Sequence, residues 1–257
     1  MNPRFLTRRL TSFATLLLLG SCTVYAPMQP TISTIHVKGQ VEISGGVQAS
    51  GRVESSVVYS PLPNVLVMGA GTFRPNLGDS TFYQTRQWEA GLGGYLPLGS
   101  GWQLTGLAGY GTAHTHRAYV EEPLIWGERM LETYQMRYRK VFGQASLTHE
   151  DSRGAVGAVY RLSHLGFDQI DYSAEHFPAY GLPLRSLVRH EALVFGRRNL
   201  GAGGRWQLQG TLGLSMAGQG RHSTSEDARY NQVNQVLLPV PTVGLGVVFR
   251  PTLRREK

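Results

Sequence analysis

Apolar and polar positions alternate most clearly in Trp206–Met216, where every even position is apolar or glycine and every odd one is polar or glycine. Trp102–Tyr110 and Val243–Arg250 repeat the pattern less strictly. Successive strand side chains point to opposite faces, so each segment predicts a strand with one greasy face and one polar or small face. About ten such segments occur, at 40–49, 52–60, 64–73, 86–96, 102–112, 134–148, 154–165, 187–196, 205–217 and 242–250. Eight is the alternative count. Most are long enough to cross a bilayer at a tilt and exceed the ~5–6 residues of an ordinary globular strand.

The connections alternate as well. Short ones fall at 60–64, 97–101, 150–153 and 197–204, and long ones at 74–85, 113–133, 166–186 and 218–241. The first hairpin, near 48–51, is a short exception on the long side. Outer-membrane barrels have short periplasmic turns and long external loops. After the N-terminal segment no apolar run is long enough for a helical span. In hydrocarbon only helices and closed barrels pair every backbone amide and carbonyl. The expected fold is therefore all-β: a transmembrane, antiparallel, up-and-down β-barrel. Tyr59, Trp102, Trp206 and Phe249 fall at the short-turn ends, and Phe73, Trp88, Tyr110 and Tyr138 nearer the long loops. Aromatic rings with a polar edge suit the head-group level, so these predict two girdles.

Two segments resist a single phase. Tyr134, Met136 and Tyr138 share one face, but Val141, Gly143, Ala145 and Leu147 share the other, which predicts a bulge near Lys140. In 187–196, either Val188, Ala192 and Val194 or Leu187, Leu193 and Phe195 could form the outer face.

The start of the chain adds a location. Arg4, Arg8 and Arg9 precede an apolar core ending Leu16-Leu17-Leu18-Leu19, the pattern of an export signal that is removed. Cys22 is the sole cysteine, and Leu19-Gly20-Ser21-Cys22 resembles the lipobox of bacterial lipoproteins. That resemblance implies cleavage before Cys22, diacylglycerol on its sulfur and a further acyl chain such as palmitate. The expected organisation is a signal peptide over 1–21, a lipidated tether over 22–38, the barrel over 39–250 and a tail over 251–257. A lone lipidated cysteine offers no disulfide, so stability must come from the sheet. The net charge of +8 is dispersed rather than gathered in a stripe, which speaks against nucleic acid and for anionic lipid head groups.

The chain also resembles a family of small, uncharacterised outer-membrane β-barrel lipoproteins from Bacteroidetes. The matching residues are Cys22-Thr23-Val24-Tyr25-Ala26-Pro27, Lys38-Gly39-Gln40 and Tyr59-Ser60-Pro61. The resemblance implies no catalytic residues. The residues after Cys22 lack an acidic cluster associated with surface export in that phylum, so the expected anchor is the inner leaflet, with a periplasmic N-terminus. The chain also continues for eight residues past Phe249, so the terminal aromatic typical of barrel-insertion signals is internal.

By strand parity Glu89, Arg137, Arg139 and Arg161 face a polar lumen, with Arg189 and Glu191 as further members. Buried charges must pair or be hydrated, which gives a structural ion-pair plug or, if the lumen is open, an anion-favouring pore. His114 and His116 share a face near Glu121 and Glu122, too few converging ligands for a metal site. Arg221–Asp227 holds hydroxyls, an imidazole and carboxylates within one polar stretch, which suits a solvated tip better than a hydrolase. The glycine-rich runs lack the strand-turn-helix context of a nucleotide loop and suit inward positions of a tight barrel.

The sequence thus points to an outer-membrane barrel lipoprotein with a structural or interaction role through its external loops. It is not an enzyme, and it carries no cofactor beyond the lipid on Cys22. Its partners are outer-membrane lipid and the barrel-assembly machinery. The alternatives are a narrow anion-preferring channel, or a lipid-tethered soluble barrel with its greasy face inward around an apolar ligand.

Overall fold

The computed structural model describes residues 24–75, 81–121, 130–175, 177–201, 204–220 and 229–251. The expected signal peptide over 1–21, Cys22, Glu122, Trp126, the 221–227 segment and residues 252–257 lie outside the described residues.

The strands are β1 (Val41–Gln48), β2 (Val53–Tyr59), β3 (Val65–Arg74), β4 (Phe82–Gly99), β5 (Trp102–Glu121), β6 (Met130–Glu150), β7 (Gly154–Ala174), β8 (Phe177–Gly181), β9 (Ser186–Leu200), β10 (Trp206–Ala217) and β11 (Val240–Phe249). Each pairs antiparallel with its neighbours, β1 pairs with β11, and β6 pairs with β7, so ten strands close into a ring. The extra strand, β8, adds to the upper end of β7 beyond the point where the β7–β9 pairing ends at Gly166 and Ser186. All ten expected strands are present; β4 to β7 run further toward the long loops than the alternation reached. Among the described residues one helix, α1 (Arg229–Leu237), lies within the connection read as a loop.

The β4–β5 and β6–β7 turns at the short end are compact. Gly99, Ser100 and Gly101 all take positive φ (85°, 50° and 80°), a backbone that glycine adopts without steric cost. In the β6–β7 turn the amides of Arg153 and Gly154 donate to Asp151 Oδ1 at 2.7 and 3.0 Å. They hold that carboxyl below its ordinary range.

The outer face is apolar over much of the wall. Leu92, Val141 and Leu245 are 64, 59 and 68% exposed, and Leu208 and Leu212 also point outward. This is opposite to what an inward-greasy soluble barrel requires. Facing inward along β6 are Gln144, Ser146 and Thr148, all buried. Nearer the long loops the polarity inverts with no change of backbone phase. Tyr134, Met136 and Tyr138 face inward, and Arg137 and Arg139 face outward.

The irregularity expected near Lys140 lies instead across the ladder. Arg137 pairs with Gln169 and Tyr138 with Phe167, which leaves Asp168 of β7 as the extra residue. Inward burial on β7 accordingly moves from odd positions (Arg161, Ser163, Leu165) to even ones (Ile170, Tyr172, Ala174). In β9 the ambiguity resolves with Leu187, Leu193 and Phe195 inward. Of the glycine-rich runs, Gly109 does make room inside, since a Cβ there would meet Phe142 at 2.6 Å.

The largest departure is the segment expected as a tether. From Val24 to Ile35 it is almost wholly buried, and its hydrogen bonds reach β1, β2, β4, β6, β9 and β10. It runs through the lumen as an extended thread. Composition alone gave no reason to place it there, because Pro27, Pro30 and the threonines read equally well as a solvated linker.

Candidate functional site

The barrel interior is where the charged and polar side chains converge, in three groups. Nearest the short end, Glu42 of β1 is ion-paired with Arg197 of β9 (2.9 Å) and accepts a hydrogen bond from Arg250 Nε just beyond β11 (3.2 Å). Arg250 also reaches Glu150 at 2.6 Å. Arg197 then donates to Ile32 O and Thr34 Oγ1 of the thread, each at 3.2 Å. In the second group Gln29 Nε2 donates to Thr211 Oγ1 at 2.7 Å, and the Gln29 amide donates to Glu54 at 3.3 Å. Glu54 also takes Gln48 Nε2 at 3.0 Å and faces Arg52 at 3.6 Å.

The third group is the buried network around Glu89. Glu89 is bonded by Lys140 Nζ and by Arg161 Nη1 at 3.0 Å. Arg161, which has no exposed surface, also donates to Gln144 Oε1 at 2.9 Å, lies 3.9 Å from Glu191 and stacks over the Phe142 ring at 4.4 Å. Gln144 passes the connection on, its Nε2 donating to Thr31 O at 2.6 Å. Arg189 is equally buried. It donates to Ser215 O at 2.8 Å and caps the end of α1 through Val236 O and Leu238 O, where a cation suits the free carbonyls. Its guanidinium lies 4.5 Å above the Tyr25 ring.

Of the four expected lumen charges, the structure brings together Glu89 and Arg161. Arg137 and Arg139 are corrected: both project from the outer wall. Arg139 pairs there with Asp168, Nη2 to Oδ1 at 2.6 Å. Polarity reports the inward face only where the surroundings stay the same, and along β6 they invert above Lys140. Lys140, Glu42, Glu54, Arg197 and the thread itself were missed. Inward parity on β6 and β9 could have found Lys140 and Arg197; nothing in the sequence marked the thread.

The expected girdle residues lie at two levels. Tyr59, Trp102 and Trp206 are exposed near the short end, where Trp206 packs on Phe249 at 4.4 Å between ring centroids. Trp88 is exposed higher up, edge-on to Tyr110 at 6.1 Å. Tyr138, expected among the upper girdle, is buried instead. Adjoining Trp88 on the outer wall, Arg86, His114 and Arg137 occupy one cross-strand row. His116 packs on Phe82, and the upper tyrosines pack on one another around Glu132, which accepts from Tyr119, Tyr134 and Tyr172 at 2.8–3.3 Å.

Breaking a buried ion pair from one side leaves an uncompensated charge, at a cost of about 3–5 kcal/mol. Glu89→Gln removes the counter-charge of Lys140 and the nearer counter-charge of Arg161. It is expected to lower the thermal unfolding midpoint of the purified barrel, whereas Arg139→Gln on the exposed wall leaves it nearly unchanged.

No protein-family model matches the chain, and no curated protein does. Among solved structures it is similar to the outer membrane protease OmpT from Escherichia coli. The TM-score is 0.48 and the identity 7%, over 82% of this chain and 90% of that one.

Proposed function

We propose that this chain is an integral outer-membrane barrel lipoprotein, closed to solutes by its own N-terminal thread. It serves the envelope as a structural or interacting element through the long-loop end. The observation that carries this reading is the inversion of polarity along one unbroken strand. On the short-end half of β6 the wall is apolar outside and polar inside; on the long-loop half it is apolar inside and charged outside. A strand crossing from hydrocarbon into water needs that reversal, and a wholly soluble barrel does not. The spacing agrees. From Trp88 to Leu98 along β4, ten residue steps at ~3.4 Å and a tilt near ~40° rise roughly 26 Å, close to the ~25 Å apolar band of such barrels.

Outer-membrane lipid is the partner this arrangement supports, with Arg86, His114, Arg137 and Arg139 at the upper edge of the band. Folding through the barrel-assembly machinery, a lipid anchor on Cys22 and membership of the Bacteroidetes lipoprotein family belong to the same reading, as does a non-catalytic role. The thread and the buried ion pairs oppose the channel alternative. Fractionation of the Cys22→Ala variant is the test of the integral barrel: it is expected to stay with the membrane and to shift in gel mobility only after boiling. Release into the aqueous fraction with unchanged mobility would overturn the proposal. In planar bilayers the intact protein is expected to give no current steps.

A further inference from the structure

The thread has a direction. Tyr25 sits beside Tyr138 of β6 (5.8 Å between rings) and Arg189 of β9. Ala26 O accepts from Gln87 of β4 at 2.7 Å, beside Trp88 of the upper girdle. Six residues after Tyr25, Thr31 O meets Gln144, which lies six residues beyond Tyr138 along β6. Ile32 packs on Leu193 and Phe195, and Thr34 meets Arg197, further along β9 toward its short-turn end. The amides of His36 and Val37 then bond Gln40, the chain turns, and the Gly39 amide donates to Ser60 O at the short-end rim before β1 begins. The thread therefore descends parallel to β6 and β9, with its first residues at the long-loop end. Val24 is packed there among Leu182, Leu184, Val233 and Val236, beneath α1.

We infer that the mature N-terminus, with the acyl anchor on Cys22, emerges on the long-loop face, so that the lipid enters the outer leaflet at the cell surface rather than the periplasmic leaflet. Cys22 precedes Val24 by two residues, and two extended residues span at most about 7 Å. The buried stretch from Val24 to Ile35 alone is twelve residues, about 40 Å at full extension. The lumen along that path is already filled by the thread, so the chain cannot double back. A way out exists beside it. A cavity of about 640 Å³ is lined by Tyr25, Ala26 and Pro27 on one side and by the low β1–β2 hairpin, Ala49 to Arg52, on the other. The barrel must then close around a segment whose lipidated end is already on the far side.

This rests on the membrane reading above, and the test separates the two. An epitope is inserted between Thr23 and Val24 of the full chain, with control epitopes near residue 125 in a long loop and near residue 202 in a short turn. Antibody binding and protease shaving are measured on intact and on permeabilised cells. The expected result is that the N-terminal and residue-125 tags bind antibody and are lost on shaving of intact cells, while the residue-202 tag is protected until permeabilisation. If the two controls differ but the N-terminal tag behaves like residue 202, the inference is wrong and the membrane reading stands. If the controls do not differ, the membrane reading fails and the inference with it. A second variant, carrying a short protease site at the same junction, reads out the same exposure by loss of lipid-bearing label and guards against interference from the epitope.

Discussion

Deleting residues 25–35 while retaining the signal and Cys22 is expected to turn a silent barrel into one that passes ions and unfolds at a markedly lower temperature. The thread supplies hydrogen-bond partners to Gln87, Gln144, Arg197 and Thr211. It also covers the apolar patches formed by Val58, Leu66 and Leu107 and by Val159, Leu193 and Phe195. Without it the polar groups hydrate and the apolar patches line an open lumen. Each buried apolar side chain lost from the thread, such as Met28, Ile32 or Ile35, forfeits about 1.5–3 kcal/mol of burial. Single-channel recording on the deletion variant and on the intact protein checks the first effect. Heat-dependent gel mobility checks the second. A deletion variant as silent and as heat-resistant as the parent would show that the lumen is closed by something else.

Leu245→Arg is expected to abolish accumulation of folded barrel in the outer membrane. Leu245 lies near the middle of β11, opposite Val47 and Gly210, and four residues above Phe249 in the lower girdle. At that depth a charged residue on the lipid face costs about 2–4 kcal/mol. A chain that must fold and insert in one process has little to spare against such a loss. Leu62→Arg is the control: Leu62 is also largely exposed but lies in the β2–β3 turn at the short end, where a charge meets water. Membrane fractions probed for the unboiled, compact form give the readout. Equal amounts for both variants would contradict the placement of the apolar band.

Much of the wall was legible because period-2 alternation depends only on which solvent each face meets. Trp206–Met216 carries that pattern without interruption, Val243–Phe249 with Val248 out of step, and they form β10 and β11 as expected. The same rule misled at Arg137 and Arg139, because it assumes one solvent along the whole strand. In β6 the surroundings change above Lys140, so tyrosines turn inward and arginines outward while the backbone keeps its phase. The apparent bulge was a change of environment, and the real one is Asp168 on the neighbouring strand. In α1, Val233, Val236 and Leu237 are spaced as one helix face, yet nine residues inside a long polar connection gave a weak signal. The thread was illegible for a different reason. Its burial is set by contacts with residues up to 182 positions away, and no local pattern reports those.

The central claim is a barrel wall closed around its own N-terminal segment, and one cross-linking measurement addresses it directly. Cysteines placed at Thr31 and Gln144, whose native groups are hydrogen-bonded, are treated with a short bifunctional thiol reagent on the folded protein in membranes. The expected result is an intramolecular 31–144 link, identified by mass spectrometry, that forms before boiling and not after it. Absence of the link, together with free reaction of the cysteine at position 144 with a bulky water-soluble maleimide, would mean that the lumen is open and the thread lies elsewhere.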